Sequence, residues 1–298
     1  MISRRGLLGG FAGLSGLSLA GCGSRHATAP SYAYAPPGGA TWNPPANGLD
    51  AVIDISHNVQ VSDFSEVRKA NILAVIHKST EGGDWIDPSY AARRVEAESN
   101  GLLWGAYHFG TRQYSGARQA QNFLAAARPS PRTLLALDFE HNDPNPNNTM
   151  TLQQAEDFVR VVHRAIGRLP IVYTHAAWAN GQKAGRRGVR LREPVGPNSI
   201  LAQCDLWLAD PREDPVVPDA WAGRGWRFWQ YAANESQSDA AFGTVSRAVP
   251  GVTHCDRNLF AGNAEELHRY WASVAPGRDG QGAVHPASRS LASLSRHD

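Results

Sequence analysis

Short runs rich in Val, Ile, Leu, Trp and Tyr recur eight times along this chain, at 51–55, 73–79, 103–109, 133–139, 170–175, 206–210, 226–231 and 252–259. Segments of helical spacing separate the early ones, and that alternation constrains the fold more than any other feature. The clearest helices are 88–99, 116–127 and 152–166; in the last, Ala155, Phe158, Val159, Val162 and Ile166 share one face behind a Thr151 N-cap. Weaker helices are expected at 63–70 and 176–184, none after the sixth and seventh runs, and a closing one at 264–274. Repeated strand–helix alternation implies parallel strands with right-handed crossovers, and eight strands close into a barrel filled by its own side chains. The expected fold class is α/β: a single (β/α) barrel, TIM-like and irregular, with about five β/α units followed by three strands. A doubly wound open sheet is the alternative, but Asp54 to Gln60 holds no glycine, so no phosphate-binding loop follows the first strand.

The ends of the chain read differently. Residues 1–22 are expected to be an export signal: Arg4-Arg5 supply the charge, and Gly6 to Ala20 is too short and glycine-rich to span a bilayer well. The segment ends in Leu19-Ala20-Gly21-Cys22, which resembles the lipobox of bacterial lipoproteins and makes Cys22 the expected lipidation site; Arg4-Arg5 also looks like a twin-arginine signal. Residues 23–48 are rich in Pro, Ala and Gly and read as a flexible tether with a reach on the order of 30 Å. The 276–298 tail reads as disordered, leaving 49–275 as one domain. The expected location is outside the cytoplasm, anchored by lipid to a bacterial membrane and facing the periplasm or cell wall.

Charge narrows the partners. The chain has 29 basic and 27 acidic residues, and loss of Arg4 and Arg5 with the signal would leave them balanced. Such a chain lacks the broad basic footprint that nucleic acid needs; Arg186, Arg187, Arg190 and Arg192 read as a solvated loop. Three cysteines make neither a disulfide scaffold nor a four-ligand zinc site. Cys204 and Cys255 flank runs six and eight, which are not neighbours in such a barrel and lie roughly 10 Å apart, beyond disulfide reach. His254-Cys255-Asp256 cannot form a thiol relay, because adjacent strand residues face opposite ways. His57, His77, His108, His141 and His175 share no zinc-ligand spacing, so no metal or other cofactor is expected, and the molecule is expected to be a monomer.

Polar residues gather where the strand runs end, the face on which such barrels do chemistry. Run one ends in Asp54, run three in Tyr107-His108, run four in Asp138 and Glu140, run five in Tyr173 and His175, run six in Asp210 and run seven in Gln230-Tyr231; run eight carries Asp256. Alternation puts Asp138 and Glu140 on one face with Cα atoms about 7 Å apart. Two such acids suit acid-catalysed glycoside cleavage, in which one protonates the leaving oxygen and another stabilises positive charge on the sugar. On spacing alone they serve equally as a structural pair held by a base such as Lys78. Closure of the barrel would add Asp54 and Asp256 to the same rim, and four carboxylates in one pocket are costly to assemble without a function. Their metal-binding use is less favoured, as neither an EF-hand spacing nor a helical His pair is present. Trp104, Tyr107, Phe109, Tyr173, Trp178, Trp207, Trp226, Trp229 and Tyr231 lie in or beside the runs and together favour a carbohydrate cleft.

These residues carry a resemblance. Asp54-Ile55-Ser56 with Gln60, His77-Lys78-Ser79-Thr80-Glu81-Gly82, Tyr107-His108-Phe109, Leu137-Asp138-Phe139-Glu140, Pro170-Ile171-Val172-Tyr173-Thr174, Leu206-Trp207-Leu208-Ala209-Asp210, Trp229-Gln230-Tyr231 and Asp256-Arg257-Asn258-Leu259-Phe260 follow one another as in glycoside hydrolase family 25, the Chalaropsis-type lysozymes, which the chain resembles over nearly all of 49–275. The resemblance implies an N-acetylmuramidase that cuts the β-1,4 bond between N-acetylmuramic acid and N-acetylglucosamine in peptidoglycan glycan strands. It implies Glu140 as general acid and Asp138 as the group orienting the substrate acetamido, with Asp54 and Asp256 shaping the pocket. Tyr107, Tyr173, Asp210 and Gln230 would line the cleft, with Trp207 and Lys78 as further substrate-binding residues. Pro211 and the Asn/Pro-rich segment 141–148 depart from the family pattern and bear on cleft shape. A peptidoglycan-binding lipoprotein without turnover, or a chitinase-like hydrolase, are the rival readings.

Overall fold

The computed structural model describes residues 48–212, 214–232 and 249–273. The export signal with Cys22, nearly all of the tether and the 276–298 tail lie outside the described residues. Nine strands form one sheet: β1 (Leu49–Ile55), β2 (Ala74–Glu81), β3 (Trp85–Ile86), β4 (Leu103–Phe109), β5 (Thr133–Asp138), β6 (Ile171–Thr174), β7 (Leu206–Ala209), β8 (Phe228–Ala232) and β9 (Asp256–Phe260). Their order is β1-β9-β8-β7-β6-β5-β4-β2-β3, and a β1–β2 pairing closes the ring. Eight strands are therefore barrel staves; β3 is a short hairpin partner of the end of β2. The staves are parallel except β9, which runs antiparallel to both β1 and β8.

Helices α1 (Phe64–Lys69), α2 (Tyr90–Ser99), α3 (Gly116–Ala127) and α4 (Leu152–Ile166) cover the outside. Local chemistry sets their ends. The Asp63 carboxylate accepts from Ser65 N at 2.7 Å to start α1, and Thr151 with Gln154 forms a capping box on α4, which ends at Gly167 in the left-handed conformation. Gly116 lets α3 and α4 touch: a Cβ there would lie 1.9 Å from the Gln154 carbonyl oxygen. The helix expected over 176–184 is only α5 (Ala176–Ala179), because Gly181 takes a φ of +69° and turns the chain toward an Ala184–Val189 bridge. A second short turn, α6 (Ile200–Gln203), precedes β7. Residues 252–255 stay out of the last strand, Val252 forming only an isolated bridge to Val61.

The alternation of each stave splits the core in two. Outward residues such as Leu135, Leu137, Phe139, Val172 and Leu208 pack with Phe123, Phe158 and Val162 of the helices. Inward residues such as Val52, Ile76, Leu134, Ala136, Ile171 and Phe228 fill the barrel, and Leu267 and Trp271 of the final helix α7 (Ala264–Ser273) join them. Trp271 Nε1 donates to the Trp104 carbonyl at 3.1 Å, near the N-terminal end of β4, so α7 closes the bottom and leaves the opposite mouth for chemistry.

Candidate active site

The apolar filling stops one step below the mouth. Two positions beyond Val52 lies Asp54, beyond Ala136 lies Asp138, beyond Ile171 lies Tyr173 and beyond Phe228 lies Gln230. In β9, whose direction is reversed, the same inward phase reads Phe260, Asn258, Asp256 toward the mouth. Each polar side chain thus projects inward because its apolar predecessor does. Past the end of β5 the chain stays paired, with Phe139 N donating to the Tyr173 carbonyl at 2.9 Å, so the alternation carries on to the half-buried Glu140.

Asp54 and Asp256 are direct Cα partners across β1 and β9. The Gln230 amide nitrogen donates to both, at 2.8 Å to Asp54 Oδ2 and 3.2 Å to Asp256 Oδ2. Gln230 Oε1 accepts the Tyr173 hydroxyl at 2.7 Å, which fixes which way the amide faces. Asn258 Nδ2 adds a second donor to Asp54 at 2.9 Å, and its oxygen accepts Trp207 Nε1 at 2.6 Å. Tyr107 and Tyr173 meet the Trp207 ring edge-on at 6.3 and 4.9 Å. Asp138 and Tyr173 are register partners on β5 and β6, so the network reaches from the Asp54 side of the mouth to the Asp138 side. Neutral amide donors and aromatic edges therefore hold the floor in shape.

The mouth gathers Asp54, Asp256, Asp138, Tyr107, Tyr173, Trp207 and Gln230 as the sequence leads one to expect. Trp207 is only 2% exposed, which makes it a brace under the tyrosines more than an open platform. Lys78, expected from the sequence as a base for the Asp138–Glu140 pair, forms an ion pair with Glu81 at 2.6 Å and sits over the Trp85 and Phe109 rings at 5.1 and 5.0 Å. Asp210 stands outside the Gln230 side-chain network. Its carboxylate accepts a fork from Arg212, 2.8 Å from Nε and 2.5 Å from the second nitrogen, and Val216 N at 2.9 Å, so it organises its own loop. That hydrogen bond raises the Arg212 pKa further above its ordinary value. A pocket of about 170 Å³ is lined by Glu81, Asp84, Trp85, Thr111, Tyr114 and neighbouring residues, and none of Asp54, Asp138, Glu140 and Asp256 is among them.

Asn258 was not singled out by sequence reasoning; its signal is that it shares the inward face of Asp256, two residues away. Of the histidines, His141 and His175 meet each other while His77 and His108 lie elsewhere. His77 bonds the Lys78 carbonyl and faces Arg93, and His108 lies between Thr80 and Gln119. Burial lowers them to about 4 and about 3, so both are neutral near pH 7. Among the described residues, no group of three or more His, Cys, Asp or Glu side chains is placed to hold a metal ion. Cys204 and Cys255 are free thiols.

A closed barrel with acids at its mouth is compatible with acid-catalysed glycoside cleavage, though the fold alone does not single it out. The family model for glycosyl hydrolases family 25 matches residues 53–240, and the chain belongs to that family; it is a glycoside hydrolase. Among curated relatives, Lysozyme M1 of Streptomyces globisporus is 29% identical over 226 residues, covering 72% of this chain and 69% of its own. The N,O-diacetylmuramidase of Chalaropsis sp is 28% identical over 138 residues, 42% of this chain and 65% of its own. The structure of the bacterial lysozyme from Streptomyces coelicolor is similar with a TM-score of 0.61 at 28% identity, over 78% of this chain and 100% of that one.

Proposed function

We propose that the protein is an exported, lipid-anchored lysozyme that hydrolyses the β-1,4 bond between N-acetylmuramic acid and N-acetylglucosamine in peptidoglycan. The observation that carries this reading is the convergence of Asp54, Asp138 and Asp256 on the inner face of one barrel mouth, with Glu140 next in phase, in a chain of this family. The names of the lysozyme and muramidase relatives supply the substrate class, and the Leu19-Ala20-Gly21-Cys22 motif supplies the anchor.

In this reading Glu140 gives its proton to the glycosidic oxygen as the bond to the anomeric carbon breaks. The carbonyl oxygen of the substrate's own acetamido group attacks that carbon from the other face, while Asp138 accepts the acetamido N–H and holds it in line. Water then opens the cyclic intermediate and Glu140, now a carboxylate, takes the water's proton, so the anomeric configuration is retained. Asp54 and Asp256, pinned through Gln230, stabilise the positive charge that develops on the sugar. Glu140→Gln is expected to solubilise cell walls about 1,000-fold more slowly with an unchanged circular dichroism spectrum; wild-type solubilisation by that variant would remove Glu140 from the acid's role.

A further inference from the structure

Glu140 has left the sheet, yet the residues flanking it are tied down. The Phe139 ring meets Trp178 edge-on at 5.9 Å, and Asn142 N donates to Thr149 Oγ1 at 3.0 Å. Between them, His141 meets His175, the residue that follows β6, with Nδ1 of the first 3.1 Å from Nε2 of the second and ring planes 87° apart. The roles of all four ring nitrogens follow from their neighbours. His175 Nδ1 accepts the Trp178 N–H at 3.3 Å as the N-cap of α5, so its proton is on Nε2. That proton points at His141 Nδ1, which must then be the acceptor, and the proton of His141 sits on Nε2, facing Asp143 Oδ1 at 3.5 Å. Asp143 Oδ1 also accepts Arg186 N at 3.0 Å, and Gly185 packs so tightly that a Cβ there would lie 2.4 Å from the His141 ring and 2.1 Å from Asp143 Oδ1.

We propose that the His141–His175 contact is a directional clasp between the β5 and β6 ends that positions Glu140, which makes His175 a positioning residue for the acid. The inference rests on Glu140 being that acid. The clasp has one working protonation state. A third proton puts N–H against N–H, or forces the His175 proton onto Nδ1 and removes the cap of α5. Burial foremost, then the proximity of His141, lowers the His175 pKa to about 4, while Asp210 acts the other way, so His175 itself is uncharged near neutral pH. Asp143 and the Arg186 turn are the charged or polar groups on the far side of His141.

Two substitutions separate the clasp from the cap. His175→Asn keeps an acceptor where Nδ1 was and so keeps the cap, but has no donor that reaches His141. His175→Gln keeps a donor at the Nε2 position that does not titrate. Turbidity clearing of purified peptidoglycan, measured against substrate concentration and pH with the intact protein, is expected to show kcat lowered about tenfold or more in His175→Asn with KM within about twofold. His175→Gln is expected to recover most of that rate and to lose the extra fall in kcat that the wild type shows as the pH drops through about 4. His175→Asn as fast as wild type, or His175→Gln as slow as His175→Asn, would overturn the clasp while an inactive Glu140→Gln leaves the acid assignment standing. An active Glu140→Gln would overturn the assignment and the clasp with it.

Discussion

The Gln230 amide nitrogen lies 2.8 Å from an oxygen of Asp54, a residue 176 positions earlier in the chain, and the same nitrogen reaches Asp256. One uncharged donor thus serves two carboxylates on adjacent staves. Its position requires the barrel to be closed through β9, since β8 and β1 both pair with β9 and not with each other.

Gln230→Leu, close in volume, therefore removes a shared donor from two acids and the acceptor for the Tyr173 hydroxyl. A loss of about 1–3 kcal/mol in unfolding free energy is expected, together with a fall in kcat/KM as Asp54 and Asp256 shift. Urea unfolding and peptidoglycan clearing measure the two; a variant matching wild type in both would show that the bridge carries no weight.

Acid should destabilise the fold through its buried histidines. His77 and His108 are fully enclosed and are held neutral down to about 4 and about 3, whereas the unfolded chain takes up protons near 6.5. The unfolded state then binds more protons than the folded one below pH 6.5, so stability falls with pH and levels off only near pH 3 to 4. Across that window His77 contributes on the order of 3 kcal/mol and His108 on the order of 5 kcal/mol. Unfolding free energies at pH 7 and pH 5 are expected to differ, and His108→Gln should narrow the difference; a flat profile would contradict the neutral assignment.

Trp271 plugs the barrel from below, 1% exposed and packed edge-on to Phe228 with ring centroids 6.1 Å apart. Trp271→Ala should cost about 3–5 kcal/mol by opening a cavity, and at a temperature where the variant is folded the cleavage rate should survive, since the plug is at the end away from the acids. A cost under about 1 kcal/mol would mean that α7 is not what closes the barrel.

Much of this was legible in advance because strands announce both their existence and their phase. Leu134 to Glu140 alternates so regularly that the inward acids follow from the inward Leu134 and Ala136, and Thr151 before the Ala155–Val162 stripe marks where α4 begins. What escaped depended on direction or on distant contacts. Nothing local in Asp256 to Phe260 says that this stave runs antiparallel. Arg212 looks like a loop residue until Asp210 is seen to accept both arms of its guanidinium. His141 and His175, 34 residues apart, share no spacing rule; they meet because β5 and β6 are neighbours and each chain extends slightly beyond its strand. The two-residue strand β3 is too short to leave a periodic signal.

The most direct measurement of the central claim is the chemical identity of the end that the purified protein creates when it digests peptidoglycan, read by mass spectrometry after borohydride reduction. Reduced N-acetylmuramic acid at the new ends is the predicted result. Reduced N-acetylglucosamine, or no new ends at all, would contradict it.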